Sequence, residues 1–523
     1  MYTLRSKLER NITTVINNHK SLFTPANICF NTLFTVNDKK ILIYCFLGLI
    51  LTRGAVFNDG LSVDDYTLGK SEEFYQTITL LISQGRIFTI PILWLFELVN
   101  VNITNIYIPF CLVILFSQAL LVTSLFRFTQ ISNYRYSEWG ALLSILHPYH
   151  TEIITFKGAM IIYACCIFIF VFGLEYYILE KRNSLLILTI VFFVSIMIYQ
   201  IVINYIFTIF LILLIVYTTS ATNEKNIVQV KRRIIGLSAA GGIAIMLSGL
   251  TSAVLPRVLG IAPEGRAQLI SSGDIAARIH EISQLALKVY VFEESLIPRA
   301  VKILLLIILL CSLYFTNKNL INQRKYGKIG GGLAILFTYI IFTPGIIVIL
   351  REWWPVPRVI NHSSFMYGAL IIIGLRNIEQ IIISRIIITG VVFLCIAFGL
   401  ANAQILSDQL RINRWDAMQS NRLVARLEVL PLFANAKYLY IKDGKYAYPE
   451  TLRMSTGDMN TAALFHPKSK RGIINTVTGY HFLAADNNRK YVAEQYCLTS
   501  TKWPDITSVA IIDDLAIICL DKL

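Results

Sequence analysis

Five stretches of this chain carry no charged residue at all: Ile161–Phe172, Leu185–Ile198, Ile201–Tyr217, Ile303–Leu313 and Val391–Gly399. Apolar blocks of this length, repeated along one chain, restrict the fold more than any motif does. A bilayer core about 30 Å thick takes about 20 apolar residues as helix. Lipid offers the backbone no hydrogen-bond partner, so such segments must be helical or form a closed barrel. Period-2 alternation is absent, which excludes the barrel. Composition agrees: 55% of the 523 residues are hydrophobic, 15% are charged, and the mean hydropathy is +0.61. Soluble domains carry more polar surface and disordered chains fewer apolar residues.

Length arguments place about eleven spans. They lie near Ile41–Phe57, Ile106–Phe126, Trp139–Phe156, Gly158–Leu179, Leu185–Ile198, Ile201–Tyr217, Ile234–Leu255, Ala300–Phe315, Ile329–Leu350, Phe365–Leu375 and Ile381–Ala401. Ile87–Asn100 is short for a crossing, and Pro91 near its start predicts a helix at the interface. Residues 1–40 are polar and basic and the first apolar block begins at Ile41, so that block is expected to be an anchor rather than a cleaved signal. The net charge of +15 does not require nucleic acid, because Lys and Arg mark cytoplasmic loops. Alternate loops hold Lys39 and Lys40, Arg127 and Arg135, Lys181 and Arg182, Lys231–Arg233, and Lys318–Lys328. They predict a cytoplasmic N-terminus and, with an odd number of spans, a C-terminus outside. The outer loops are then 57–105, with its Asp and Glu residues, and 256–299.

From residue 402 the pattern changes. Ile405–Leu430 reads as an amphipathic helix, Tyr438–Lys442 as a strand and Asp443-Gly444 as a turn. Ser508–Ile512 and Leu515–Leu520 flank Asp513-Asp514 as a hairpin. Residues 402–523 are therefore expected to form a small α+β domain. Cys497 and Cys519 are the only cysteines in it. They are either a disulfide, if the domain is extracytoplasmic, or two buried thiols.

Several polar groups interrupt the apolar pattern. Asp64-Asp65-Tyr66 follows the first span. Adjacent carboxylates either favour a solvated turn, the simpler reading of the dipeptide, or supply a general base. Arg86, after Gly85, suits a phosphate or an interfacial position. His147, His150 and Glu152, followed by Lys157, suggest a polar rim around a cleft more than a zinc site, whose donors are better spaced. Tyr199-Gln200 splits an apolar run, as a tight turn or facing a sugar. Arg351, Trp353, Trp354 and Arg358 fit either an aromatic belt or a lipid-phosphate and sugar site. No P-loop, GxGxxG, HExxH or GxSxG context is present.

In this order, Asp64-Asp65-Tyr66, Gly85-Arg86, His147-Pro148, Tyr199-Gln200 and Pro357-Arg358, after a basic start and before a polar tail, resemble the bacterial serotype-converting glucosyltransferases. These are the Gtr-type membrane enzymes that glucosylate O-antigen. The resemblance runs to about Asn421; the tail beyond Arg426 lies outside it. It implies a GT-C-type glycosyltransferase in the bacterial inner membrane, with a periplasmic C-terminal domain. The donor it implies is undecaprenyl-phosphate-glucose and the acceptor a lipid-linked glycan, with inversion. Asp64 or Asp65 would be the base. Tyr66, Arg86, His147, Glu152, Lys157, Tyr199, Gln200, Arg351, Trp354 and Arg358 would bind substrate or lipid phosphate. No cofactor or metal is implied. A lipid-donor transferase of the same architecture that moves mannose, arabinose or an aminosugar fits the residues equally, and two further readings remain. One is a transporter or flippase for lipid-linked glycans, favoured by Glu97 and by Arg385 within an apolar block. The other is a glycan polymerase or ligase with a lipid-pyrophosphate donor.

Overall fold

The computed structural model describes residues 34–58, 60–66, 71–219, 224–262, 264, 268–292, 296–322, 324–442, 461–464 and 466–520. The basic N-terminal segment 1–33, Asp59 and the Asp443-Gly444 turn lie outside the described residues.

Among the described residues, seven helices are long and apolar enough to cross a membrane. They include α1 (Val36–Arg53), α4 (Tyr107–Phe128), α6 (Lys157–Ile178), α8 (Val202–Thr219), α9 (Glu224–Val258), α11 (Arg299–Asn322) and α14 (Ile381–Glu428). Between them lie α2 (Ser71–Ser83), α3 (Thr89–Leu98), α5 (Ser137–Leu146), α7 (Ser184–Ile198), α10 (Ile275–Tyr290), α12 (Tyr326–Ile341) and α13 (Ser363–Arg376). The remaining four of the eleven expected stretches are thus helical but short, at 10, 15, 16 and 14 residues for α5, α7, α12 and α13. Helix α3, within the stretch expected at the interface, has 10 residues and is too short to cross.

Three sequence expectations change. Ile329–Leu350 is helical only to Ile341 and finishes, after Pro344, in the 3₁₀ turn Gly345–Ile349. Trp139–Phe156 is not one helix. Helix α5 stops at Leu146, because Pro148 forces the preceding residue out of helical geometry, and His147 has ψ 133. The chain then runs through two 3₁₀ turns, Pro148–His150 and Glu152–Thr155, before α6. The expected break near residue 402 is also missing. Helix α14 is one unbroken element of 48 residues.

Local chemistry sets the starts of these elements. Thr35 caps α1 in a reciprocal capping box: the Asp38 N–H donates to Thr35 Oγ1 at 3.2 Å, and the Thr35 N–H donates to Asp38 Oδ2 at 3.0 Å. The bundle core is apolar and centred on α4, α6, α8 and α13. Helix α4 packs on α6, α6 on α7, α7 on α9, and α13 on both α5 and α11.

The C-terminal unit holds a four-stranded sheet of β1 (Tyr438–Lys442), β2 (Leu483–Ala484), β3 (Val509–Ile512) and β4 (Leu515–Cys519) in the order β2-β1-β4-β3. Strand β1 is parallel to β2 and β4, whereas β3 and β4 form the expected antiparallel hairpin. Asp513 takes φ 52 in its turn, which Asp tolerates better than most residues. Helices α15 (Lys470–Thr478) and α16 (Asn487–Thr499) complete the unit. Cys497 and Cys519 are joined as a disulfide with Cα atoms 5.5 Å apart. The distal part of α14 belongs to this unit: Leu423, Val424 and Leu427 share a core with Leu439, Ile473, Phe482 and Trp503.

Candidate functional site

Three motifs far apart in sequence meet in one pocket. The turn after α2 and the turn between α7 and α8 are bonded to each other. Gln200 Nε2 donates to the Gln84 carbonyl at 2.6 Å, Thr89 Oγ1 to the Ile198 carbonyl at 3.0 Å, and the Phe88 N–H to the Met197 carbonyl at 3.3 Å. Gly85 makes the approach possible. It has φ +74, and a Cβ there would run into the Ser252 side chain of α9. Arg86 follows directly, with its guanidinium 5.0 Å from the centre of the Tyr199 ring.

Arg86, Tyr199, Gln200, Glu352, Trp354 and Arg358, together with apolar residues such as Ile201, Leu350 and Val356, line a pocket of about 90 Å³. Arg358 sits at the start of the short helical turn Pro357–Ile360. Its backbone N–H donates to Glu152 Oε2 at 2.6 Å and its Nη1 to Glu152 Oε1 at 2.7 Å. Glu152 is fully buried, so this pair orients Arg358 from behind the pocket. The guanidinium also lies 5.1 Å from the centre of the Phe156 ring.

An apolar groove of about 340 Å³, between α8, α9 and the segment after α12, adjoins the pocket. Asn204 and Ile346 line both spaces. Asn204 pins the junction: its Nδ2 donates to the Val359 carbonyl at 2.9 Å, and its Oδ1 accepts from the Ile346 N–H at 2.8 Å. Gly345, with φ +67, leaves room for the Asn204 amide.

The two adjacent aspartates part company. Asp64 is exposed. Asp65 is 4% exposed and sits at the N-terminus of α6. Its carboxylate accepts from the Lys157 N–H at 3.0 Å and the Gly158 N–H at 2.8 Å, and from the Ser62 N–H and Oγ at 2.8 Å each. Those N–H groups are the unfilled donors of a helix start, so Asp65 caps α6 from another segment. Burial pushes its carboxyl above the ordinary range, and the accepted hydrogen bonds hold it back. The His147–Lys157 segment thus connects two features: its Glu152 holds Arg358, and its Lys157 N–H holds Asp65.

The rest of the predicted binding set lies elsewhere. Tyr66 is buried in the C-terminal core, with its backbone close against Gly472. His147 packs edge-on against Tyr149 and Phe398, with ring centres 4.4 and 4.9 Å away. The Lys157 ammonium donates to the Val56 carbonyl at 2.5 Å and lies 4.8 Å from the Tyr107 ring centre. Arg351 donates from Nη1 to Gln268 Oε1 at 2.9 Å, and it does not line the pocket. His147, His150 and Glu152 have separate partners, His150 meeting Ser364 Oγ at 2.8 Å. Among the described residues no three His, Cys, Asp or Glu side chains gather as a metal site.

Sequence reasoning missed Asn204 and Glu352 in the pocket. A lone amide inside the uncharged run Ile201–Tyr217 was the available signal for Asn204. It also missed Arg53, which is fully buried and donates to Gln118 Oε1, Thr151 Oγ1 and the Ile145 and His147 carbonyls at 2.8–3.3 Å. Arg53 thereby fixes the non-helical turn after α5.

The fold and site define a helical membrane protein with a small C-terminal sheet domain and an arginine pocket beside an apolar groove. Comparison with protein-family models, characterised proteins and solved structures gives no match to this chain.

Proposed function

We propose that this protein is a membrane glycosyltransferase that moves a sugar from a polyprenyl phosphate to a lipid-linked glycan. One observation carries the reading. The apolar groove lies against the Arg86–Arg358 pocket, with Asn204 and Ile346 lining both. A polyprenyl-phosphate sugar has the same division: a long apolar tail, one phosphate and a polar head. The groove takes the chain, and the two guanidiniums take the phosphate, whose several oxygens their planar donor forks match. At about 90 Å³ the pocket suits the phosphate rather than a whole sugar, and Tyr199, Gln200 and Trp354 offer a stacking face and polar partners to the part of the sugar beside it.

Exposed Asp64 is the general base in this scheme, since Asp65 spends its carboxylate on the start of α6. The acceptor hydroxyl gives its proton to Asp64 as its oxygen bonds to the anomeric carbon. The bond from that carbon to the phosphate oxygen breaks, and the electron pair leaves with the polyprenyl phosphate. Arg86 and Arg358 offset the charge that grows there. Attack from the face opposite the phosphate inverts the anomeric centre. Glucose as the sugar, undecaprenol as the lipid and a periplasmic acceptor in the bacterial inner membrane follow from the resemblance to the serotype-converting enzymes.

The test is transfer by purified protein in nanodiscs given undecaprenyl-phosphate-glucose and a lipid-linked O-antigen acceptor. Wild type transfers glucose. Asp64→Asn and Arg86→Gln do not, at unchanged thermal stability. If wild type stays folded yet transfers no sugar from any polyprenyl phosphate donor, the enzyme reading fails.

A further inference from the structure

A second cavity lies away from the arginine pocket, between α2 and the C-terminal unit. It measures about 720 Å³. Its walls include Gln76 from α2, Tyr440 from β1, Lys468, Lys470 and Arg471 at the start of α15, and Lys490 of α16. Four cations face this space, and among the described residues no carboxylate lines it. We propose that this cavity binds an acidic saccharide, a sugar phosphate or a uronate.

The placement of the cations argues for an anionic occupant. Three of them stand at the N-terminal end of α15, where the helix dipole already disfavours positive charge. An anion there reverses the sign of that interaction and meets the first N–H groups of the helix as well. Lys470 is 4% exposed, and burial pushes its ammonium down to about 8. An anion beside it favours the charged form further. Size separates a saccharide from a bare ion. The cavity falls within the roughly 300–1,000 Å³ typical of small-molecule sites, far larger than a single phosphate needs. The Gln76 amide provides a partner for sugar hydroxyls, and the Tyr440 hydroxyl, which donates to Glu494 Oε1 at 3.3 Å, can still accept one.

The experiment measures binding, so it stands apart from the transferase reading. Full-length protein in phosphatidylcholine nanodiscs is titrated calorimetrically with glucose 1-phosphate, digalacturonate, maltose and inorganic phosphate. The acidic sugars bind, maltose does not, and inorganic phosphate binds at least ten-fold more weakly. The combined Lys468→Ala, Arg471→Ala, Lys490→Ala variant loses at least ten-fold in affinity for the acidic sugars. Resistance of its C-terminal unit to protease verifies folding, and Lys468→Glu and Lys490→Glu singly, at exposed positions, replace it if it fails to fold. Equal binding of maltose, equal binding of inorganic phosphate, or undiminished affinity in folded variants overturns the proposal. So does loss of digalacturonate binding in phosphatidylglycerol nanodiscs, which would make a lipid headgroup the occupant.

Discussion

The Glu152–Arg358 pair gives the sharpest energetic test of the pocket. Glu152 is fully buried, and the Arg358 side chain is 15% exposed. Two hydrogen bonds of 2.6 and 2.7 Å join them. At an effective dielectric of about 20, unit charges 4 Å apart attract by about 4 kcal/mol. Removing one partner of a buried pair commonly costs about 3–5 kcal/mol, because the other charge stays buried alone. Arg358 retains some contact with the pocket, so Glu152→Gln belongs at the lower end, about 3 kcal/mol. Arg358→Met keeps the backbone N–H on the fully buried Glu152 but removes its cation, and belongs at the upper end. The double variant removes both charges and is expected to be no worse than Arg358→Met alone. Equilibrium unfolding in mixed dodecyl maltoside and SDS micelles measures all four corners of the cycle. A coupling energy of about 3 kcal/mol is expected. Additive losses, with coupling near zero, would show that Glu152 does not hold Arg358.

Four further outcomes follow from the geometry. Asp65→Ala leaves buried N–H groups of Lys157, Gly158 and Ser62 without their acceptor and should destabilise by about 3 kcal/mol; Asp65→Asn, which keeps one acceptor, should lose less, and equal stability of all three proteins in the same unfolding assay would discard the capping role. Gly85→Ala must hold φ +74 and displace Ser252, so it should cost about 1–3 kcal/mol and weaken donor binding, whereas unchanged binding of a polyprenyl phosphate would separate this turn from the site. The depressed Lys470 ammonium means that the unfolded chain binds more protons between pH 8 and 10.5, so folding stability contributed at this residue rises with pH across that window; Lys470→Met should lose that component of the pH profile of thermal unfolding, and coincident profiles would refute it. Cys497→Ser opens a disulfide spanning 22 residues and should cost the C-terminal unit about 3 kcal/mol, read as faster proteolysis and lost mobility shift on reduction; unchanged proteolysis would count against it.

In the small domain β1 and the β3–β4 hairpin were legible, whereas β2 and helices α15 and α16 were not. Strand β1 begins and ends where its apolar pattern does, and Asp513-Asp514 marks the turn of the β3–β4 hairpin. Local alternation and turn chemistry decide such elements, and both are visible in a few residues. The membrane half was legible as apolar helix but less so in its breaks. Hydropathy carries on through Trp139–Phe156, while Pro148 and the buried Arg53 impose the non-helical turn. Hydropathy drops after Ala401, yet α14 continues, because its distal face is buried by the sheet domain instead of the bundle. The pocket residues Arg86, Tyr199, Gln200, Trp354 and Arg358 were recognisable one by one as polar interruptions. Their convergence depends on the bonded turns at Gln84–Thr89 and Ile198–Gln200, which no local pattern encodes. The Asp64-Asp65 pair shows the same limit. Side by side in sequence, one faces solvent and the other ends a helix, and only the fold of a 3₁₀ turn separates them.

Helix α14 has a mechanical consequence. At 1.5 Å per residue its 48 residues reach about 72 Å, more than twice a bilayer core. The sheet domain is built onto its far end through Leu423, Val424 and Leu427. The Ala463 N–H adds to this attachment by donating to Asp416 of the helix at 2.6 Å, and the first loop braces the domain a second time, with Ser469 Oγ donating to the Val63 carbonyl at 2.6 Å. A mast with a stay cannot swing freely. The domain therefore stands at a set height and heading above the bundle, and the helix acts as a ruler. Adding or removing one turn of α14 between Ala401 and Asp416 would shift that height by about 5.4 Å while the loop brace held its old length, so the two attachments would come into conflict.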